Sequence, residues 1–295
     1  MATASLLTQF SDELTALVDG AGSFAGQVLA EKSRPVGAIL WAADIIVTSE
    51  QSLPEASEYE VRISGQTRRA TPAGRDPGTN VAVLRLQTSI SASLPKAAEA
   101  RPGALAIVIG NEDVALTARL DVVRSVGGAW ESLAGSTIDQ RIRLAGRIGG
   151  DEGGPVLSAA GGLFGMSTHG ARHTSLVIPA STIDRSVTTL IEKGGIERGW
   201  LGVALRPVAL PEKLRPAGEQ RSGMMVMEVS DGSPAAKAGI LAGDIILSAG
   251  NFPAIRYGAI ARQLGANAIG KTIALAVARA GAVVNVDVTV EARTA

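Results

Sequence analysis

The stretch Gly146–Gly162, GRIGGDEGGPVLSAAGG, decides how the rest of the chain is read. Glycines flank one central position on both sides, Pro155 follows, and an apolar run comes next. Glycine reaches backbone conformations closed to other residues, so such a loop holds one side chain out of a tight turn. Nucleophiles are presented on loops of this kind. The side chain presented here belongs to Glu152. It is either a catalytic group or the occupant of a position from which one has been lost.

Composition bounds the setting. The 295 residues suit two domains, and 46% hydrophobic against 19% charged residues mark globular material with a large core. Aromatics make up only 3%, so that core is mostly Val, Ile, Leu and Ala. Lysine plus arginine equals aspartate plus glutamate at 28 each, and no basic stripe interleaves with aromatics, which argues against nucleic acid. The densest basic spot, Arg68-Arg69, reads as a solvated strand end. Without cysteine there is no disulfide, thiolate catalysis or cysteine zinc site. No apolar run reaches membrane-spanning length. The N-terminus lacks the basic and apolar regions of a signal peptide, so the sequence as written reads as cytoplasmic, or periplasmic if it is a mature form. No phosphate loop or dinucleotide loop is present, and no cofactor is expected.

Along the chain, Ser11 is placed to cap a short helix that Gly20 ends. From Pro35 to about Val177 come short Val/Ile/Leu-rich strands bounded by Gly, Pro, Asp and Ser, among them DIIVTS, NVAVLRL, ALAIVIG and TSLVIP. So many strands with so little helix predict a barrel or sandwich. Ser181 then opens a helix with Asp184 as capping-box partner, an Ile183/Val187/Leu190/Ile191 stripe, and Gly194-Gly195 as its end. Strands resume at Trp200, interrupted by the helical patches SPAAKAG and YGAIARQLG. The expected organisation is an N-terminal helix and lead-in over 1–34, a β-rich domain over 35–192, a linker over 193–199 and an α+β domain over 200–295.

The second domain resembles a PDZ domain of the bacterial type. RGWLGV (Arg198–Val203) is similar to its carboxylate-binding loop, SPAAKAGILAGDIILSAGNFPA (Ser233–Ala254) to the stretch SPAxxAGLxxGDxIxxxxG, and YGAIARQLG to its groove-lining helix. The first domain resembles the trypsin-like protease domain of the HtrA family. DIIVTSEQSL is similar to GYIVTNNHVV, GRDPGTNVAVLRL to GxDPxTDLAVLKI, and GGDEGGPVLSAAGGLFGM to xGNSGGPLxNxxGxxxGI. The resemblance implies a mainly β fold, a trypsin-like double β-barrel followed by a smaller α+β PDZ domain. It implies a peptide groove formed by Trp200, Leu201, Gly202, Val203, Arg256 and Ile260, which takes protein C-termini or internal segments. It also implies a homo-oligomer, with a trimer favoured, for which Phe10 and Phe24 are candidate contacts.

The same resemblance puts the family's catalytic histidine at Gln51, its aspartate at Asn80 and its serine at Glu152. The spacings are 29 residues from Gln51 to Asn80 and 72 from Asn80 to Glu152. An amide takes no proton near neutral pH, asparagine brings no charge to steady an imidazolium, and a carboxylate attacks amides poorly. A carboxylate at 152 beside the backbone N–H groups of Gly150 and Glu152 would repel an oxyanion or fill its hole. Losing such a triad costs on the order of 10⁶ in rate. The leading expectation is a catalytically inactive HtrA-like pseudoprotease, a scaffold with a peptide-binding PDZ domain. The alternatives are a residual or repurposed hydrolase and a purely structural assembly subunit. A repurposed site would draw on His169 with Ser167, on a His169/His173 metal pair, or on an Asp151/Glu152 acid–base pair.

Overall fold

A computed structural model describes residues 5–29, 34–91, 93–112, 115–132, 136–147, 149–170, 174–193, 198–215, 220–265 and 268–293. The chain divides into two compact units, residues 1–130 with 138–195, and residues 131–137 with 196–295. The first unit opens with helix α1 (Leu6–Ala21) and then runs through strands β1 (Ala25–Leu29), β2 (Val36–Ala42), β3 (Ile45–Ser49), β4 (Tyr59–Ile63), β5 (Gln66–Asp76) and β6 (Val81–Leu86). These six close into a barrel in the order β1-β2-β3-β6-β5-β4. A second barrel is built from β7 (Leu105–Glu112) and β8 (Ala115–Gly127), then, after the short pair β9 (Trp130–Glu131) and β10 (Thr137–Ile138), from β11 (Arg141–Arg147), β12 (Pro155–Ser158), β13 (Leu163–His169) and β14 (Thr174–Pro179). Its order is β11-β14-β13-β12-β7-β8. Helix α2 (Ala180–Lys193) follows. The strand pattern predicts a barrel or sandwich, the resemblance implies a double β-barrel, and two closed barrels are the fold observed.

Local sequence explains these elements. β3 is IIVTS and buried along its whole length, since β13 of the second barrel packs against it. β4, YEVRI, alternates, with Tyr59, Val61 and Ile63 inside and Glu60 outside. β1 lies in the lead-in, where small and polar residues (AGQVL) hide its pairing from any periodicity argument.

Three details differ from expectation. Helix α1 starts at Leu6, ahead of Ser11, because Ser5 caps it by accepting from the Thr8 amide at 3.2 Å, and it runs past Gly20 to Ala21. Ser181 sits inside the first turn of α2 and its hydroxyl turns to Asp139 Oδ2 at 2.7 Å, while Asp184 accepts from Trp41 Nε1 at 3.2 Å, so tertiary partners replace the capping box. Ile183, Val187 and Leu190 are buried on α2, but Ile191, one residue and 100° further round, is exposed. The expected end of that helix, Gly194-Gly195, lies outside the described residues.

The second unit pairs β15 (Arg198–Trp200) with β22 (Glu291–Arg293). Its main sheet is formed by β16 (Val203–Ala209), β17 (Ser222–Val229), β18 (Ile245–Ala249), β20 (Thr272–Arg279) and β21 (Ala282–Thr289), in that order, with β19 (Phe252–Pro253) attached to β18. Two short helices accompany it, α3 (Pro234–Lys237) and α4 (Tyr257–Ala261). Leu201, Met224, Val226, Ile240, Ile246, Ile260, Leu275, Val277 and Val288 form its core. β16 ends the sheet, so one of its edges is open.

The turn after Glu152 is set by close backbone packing. A Cβ at Gly154 would lie 2.0 Å from the Ile109 carbonyl oxygen, and one at Gly37 would lie 2.5 Å from the Gly154 nitrogen. Backbone cannot yield as a flexible side chain does. Gly154→Ala is therefore expected to destabilise the first unit by about 2–4 kcal/mol, read as a lower urea midpoint with an unchanged slope.

Candidate functional site

The loop that carries Glu152 is stitched to both barrels of the first unit. The Gly37 amide on β2 donates to the Glu152 carbonyl at 2.8 Å, the Gly153 amide to the Ser167 carbonyl at 2.9 Å, and the Ser167 amide to the Gly154 carbonyl at 2.9 Å. Gly153 has φ of +85°, and a Cβ there would lie 2.3 Å from the Gly37 carbonyl oxygen. The preceding residue anchors the loop from the other side. Asp151 accepts from Arg119 Nη2 at 2.8 Å and from the Gly149 amide at 2.7 Å, and Arg119 also grips Asp121 on β8.

Two turns bring the other positions in. Gln51 lies on a single 3₁₀ turn, Glu50–Ser52, directly after β3. Arg75 braces that turn, donating to the Glu50 carbonyl at 3.0 Å and pairing with the Glu50 carboxylate at 3.4 Å. Asn80 follows the turn DPGTN, whose buried Asp76 accepts from the Gly78 amide at 2.9 Å and the Thr79 hydroxyl at 2.6 Å. Asn80 has φ of +59°, a left-handed conformation that asparagine tolerates better than most residues.

Gln51, Asn80 and Glu152 thus meet in one hydrogen-bonded cluster. Glu152 Oε1 accepts from Gln51 Nε2 at 2.6 Å, Ser49 Oγ at 2.9 Å and Thr168 Oγ1 at 3.4 Å. Its Oε2 lies 2.6 Å from His169 Nδ1. Gln51 Nε2 also donates to Thr168 Oγ1 at 2.8 Å, and the Gln51 amide donates to Asn80 Oδ1 at 2.7 Å. Asn80 Nδ2 donates to Thr168 Oγ1 at 2.6 Å and to Ser49 Oγ at 3.0 Å. The donors can be assigned without conflict, because each amide nitrogen has two hydrogens and each hydroxyl has one to pass on. An ionised carboxylate only accepts, so His169 Nδ1 carries the hydrogen that points at Glu152.

Electrostatics keep Glu152 charged. Burial is the largest single influence and pushes its carboxyl group up. Hydrogen bonds from Gln51, His169 and Ser49, with the charge of His169, outweigh burial and hold it below its ordinary value.

Other expected arrangements do not form. Among the described residues, the Glu152 carboxylate bonds to four side chains and to no amide of its own turn, so it does not fill the oxyanion hole that the resemblance implies there. The reason is that better-placed donors stand across the cleft. Ser167 is buried and donates to the Asp151 and Gly154 carbonyls, not to His169. Asp151 and Glu152 diverge, one to Arg119 and the other to Gln51. Among the described residues no cluster of three metal-ligating side chains exists, and His173 lies outside them. Sequence reading missed Ser49, Thr168 and Arg119, since strand-borne hydroxyls and an arginine carry no local pattern.

In the second unit, the loop before β16 turns its carbonyls inward. Leu201 O accepts from the Ala235 amide at 2.9 Å and Gly202 O from the Ser230 amide at 2.8 Å. Gly202 has φ of +79°, and a Cβ there would lie 2.2 Å from Ser233 Cβ. Leu201 and Gly202 are both buried, yet among the described residues their own amides donate to nothing. Buried unpaired N–H groups are rare and call for an acceptor. Trp200 and Val203 flank them half-buried, Ile260 lies in the core beneath, and Arg256 stands exposed at the start of α4, which packs beside β16.

A PDZ domain family model matches residues 199–290, and a trypsin-like peptidase domain model matches residues 37–166. The chain is similar to a probable periplasmic serine endoprotease DegP-like of Brucella suis, 28% identical over 276 residues, covering 88% of this chain and 53% of that protein. It is also similar to the putative serine protease HhoB of Synechocystis, 28% identical over 271 residues, covering 84% of this chain and 64% of that one. The chain thus spans between half and two thirds of the length of these curated relatives. Among solved structures, the HtrA-type protease AlgW with tripeptide is 26% identical with a TM-score of 0.62, over 95% of this chain and 97% of that one. The serine endoprotease from Yersinia pestis shares the fold with a TM-score of 0.66 at 22% identity, over 99% of this chain and 100% of that one.

The depressed carboxyl of Glu152 links stability to pH. Its folded-state value lies below the ordinary 4.5, so its contribution is complete above about pH 4.5 and is lost as pH falls through the folded-state value. Glu152→Gln is expected to remove that component. In urea unfolding from about pH 5 down to about pH 3, the stability advantage of wild type over the variant should shrink as the pH falls.

Proposed function

We propose that this chain, which belongs to the HtrA family of trypsin-like peptidase domains joined to PDZ domains, is a proteolytically silent member of it. Its barrel unit serves as a scaffold and its PDZ unit captures the tails of peptides or proteins. The observation that carries this reading is the locked cluster of Gln51, Asn80 and Glu152 at the family's three catalytic positions. Peptide hydrolysis needs a hydroxyl, a base that takes its proton, and an acid that orients the base. Here the base position donates hydrogen bonds through Nε2, the orienting position is uncharged, and the nucleophile position is an anion already saturated with donors.

A repurposed hydrolase has one observation in its favour, the 2.6 Å contact of His169 with Glu152, which has the form of a carboxylate–imidazole dyad. The hydroxyls nearby do not complete it. Ser49 donates to Glu152 itself, and Ser167 is buried and donates to backbone carbonyls. The inactive reading therefore stands ahead.

For the peptide site, the unpaired amides of Leu201 and Gly202 beside an open strand edge suit a terminal carboxylate and an added strand. For self-association, Phe24 is 4% exposed and belongs to the core, whereas Phe10 is 39% exposed beside exposed Leu6 and Leu7. A homotrimer would use Phe10.

Purified protein is expected to leave casein uncut. Glu152→Ser alone is expected to stay inactive too, because no base stands at position 51. Turnover in that single variant, or wild-type turnover abolished by a named substitution, overturns the silent reading. In light scattering, Phe10→Asp should shift the mass from trimer to monomer, and a monomeric wild type would exclude the assembly.

A further inference from the structure

Strand β16 reads LRPVA over Leu205–Ala209, with a proline on an edge that otherwise invites pairing. Which way each of its amides points follows from the ladder. Pro207 opposes Met224 on β17, and having no N–H it cannot exchange hydrogen bonds there. The parity agrees on both sides. The Leu210 amide donates inward to Arg221 O at 2.9 Å, and Gly202 O accepts inward from the Ser230 amide at 2.8 Å. Even-numbered positions therefore face β17, and Val203, Leu205, Pro207 and Ala209 face the open edge. Val203 and Leu205 lean on the core, whereas Pro207 is exposed.

We infer that Pro207 limits this groove to short tails: the ligand is the last three or four residues of a chain, with an apolar end, and residues before them add no affinity. The inference rests on the peptide-binding reading above. An antiparallel strand added to β16 exchanges hydrogen bonds at every second residue. Val203 and Leu205 each offer an N–H and a carbonyl, which engages alternate residues over about four residues of ligand. At Pro207 the next donor is missing, so the ladder stops. The carboxylate is met by the Leu201 and Gly202 amides, and the terminal side chain rests on the apolar surface of Val203, Leu205 and the core beneath. A long internal segment would have no end to place at the loop and no donor at the far end.

The test uses the full chain and two fluorescein-labelled random peptide pools with free carboxylates and apolar last residues, one four residues long and one extended to eight at the N-terminal side, read by fluorescence polarisation. A third pool, the four-residue one amidated at its C-terminus, is run beside them. Wild type is expected to bind the four- and eight-residue acids within about twofold of each other and to lose the amidated pool. Pro207→Val restores the N–H and should tighten the eight-residue pool by about threefold to tenfold, the worth of one net hydrogen bond, while leaving the four-residue pool unchanged. An eight-residue pool that binds wild type more than about fivefold tighter overturns the inference. So does a Pro207→Val variant with unchanged length dependence, including one that instead self-associates, since Pro207 would then only blunt the edge against aggregation. If no pool binds, the peptide-binding reading falls, and this inference with it.

Discussion

A carboxylate placed in the cleft between two barrels must be surrounded by donors, and the chemistry of the first unit follows from that requirement. The Glu152 side chain is 16% exposed. An anion that far from water is costly unless hydrogen bonds replace its hydration. Gln51 meets that need at any pH, since its amide nitrogen is always a donor. Asn80 meets a second one. Both Asn80 and Glu152 bond to Ser49, and an aspartate in place of Asn80 would set two negative charges on one hydroxyl and take away the donor that Thr168 accepts. The three residues are mutually compatible as a set, and changing any one toward a protease residue sets it against the other two.

The backbone that presents the side chain at position 152 is a separate matter. Gly37, Gly153 and Gly154 pack backbone on backbone, and Arg119 holds Asp151. These contacts depend on glycine and on one ion pair, not on the side chain at position 152. The turn rests on close approach and core burial, so the three side chains at positions 51, 80 and 152 can vary without disturbing it.

This separation explains what could be read in the sequence. A barrel or sandwich was legible because β3, β6 and β7 are apolar runs bounded by turn residues, and GGDEGG announced a loop that only a tight turn needs; the doubling of the barrel came from the resemblance. β1 was not, since AGQVL has no periodicity and its partner is found by closure of the barrel. The capping box at Ser181 failed because Asp139, 42 residues away, offered its hydroxyl a better acceptor. At the site, positions 51, 80 and 152 were found by register. The direction in which Glu152 turns was not, because Ser49 reaches it from β3 and Thr168 and His169 from β13, and only the fold brings these strands together.

The two units differ in how their polar groups are spent, and the difference bears on where recognition occurs. In the barrel cleft the Glu152 carboxylate has four partners, so a ligand that engages it must break existing hydrogen bonds before it makes its own. In the loop before β16, two buried amides have no partner among the described residues and the edge of β16 pairs with none of their strands, so against these residues a ligand only adds bonds. Desolvation makes this asymmetry large, since an unpaired buried amide already bears the cost that a ligand would relieve. A site with its polar groups satisfied is built to hold still, and one with buried groups unsatisfied is built to bind. By that criterion the proposed division of labour follows from the hydrogen bonding: the Glu152 cleft is the part of the first unit that resists a ligand, and the Leu201–Val203 loop is the part of the second that favours one.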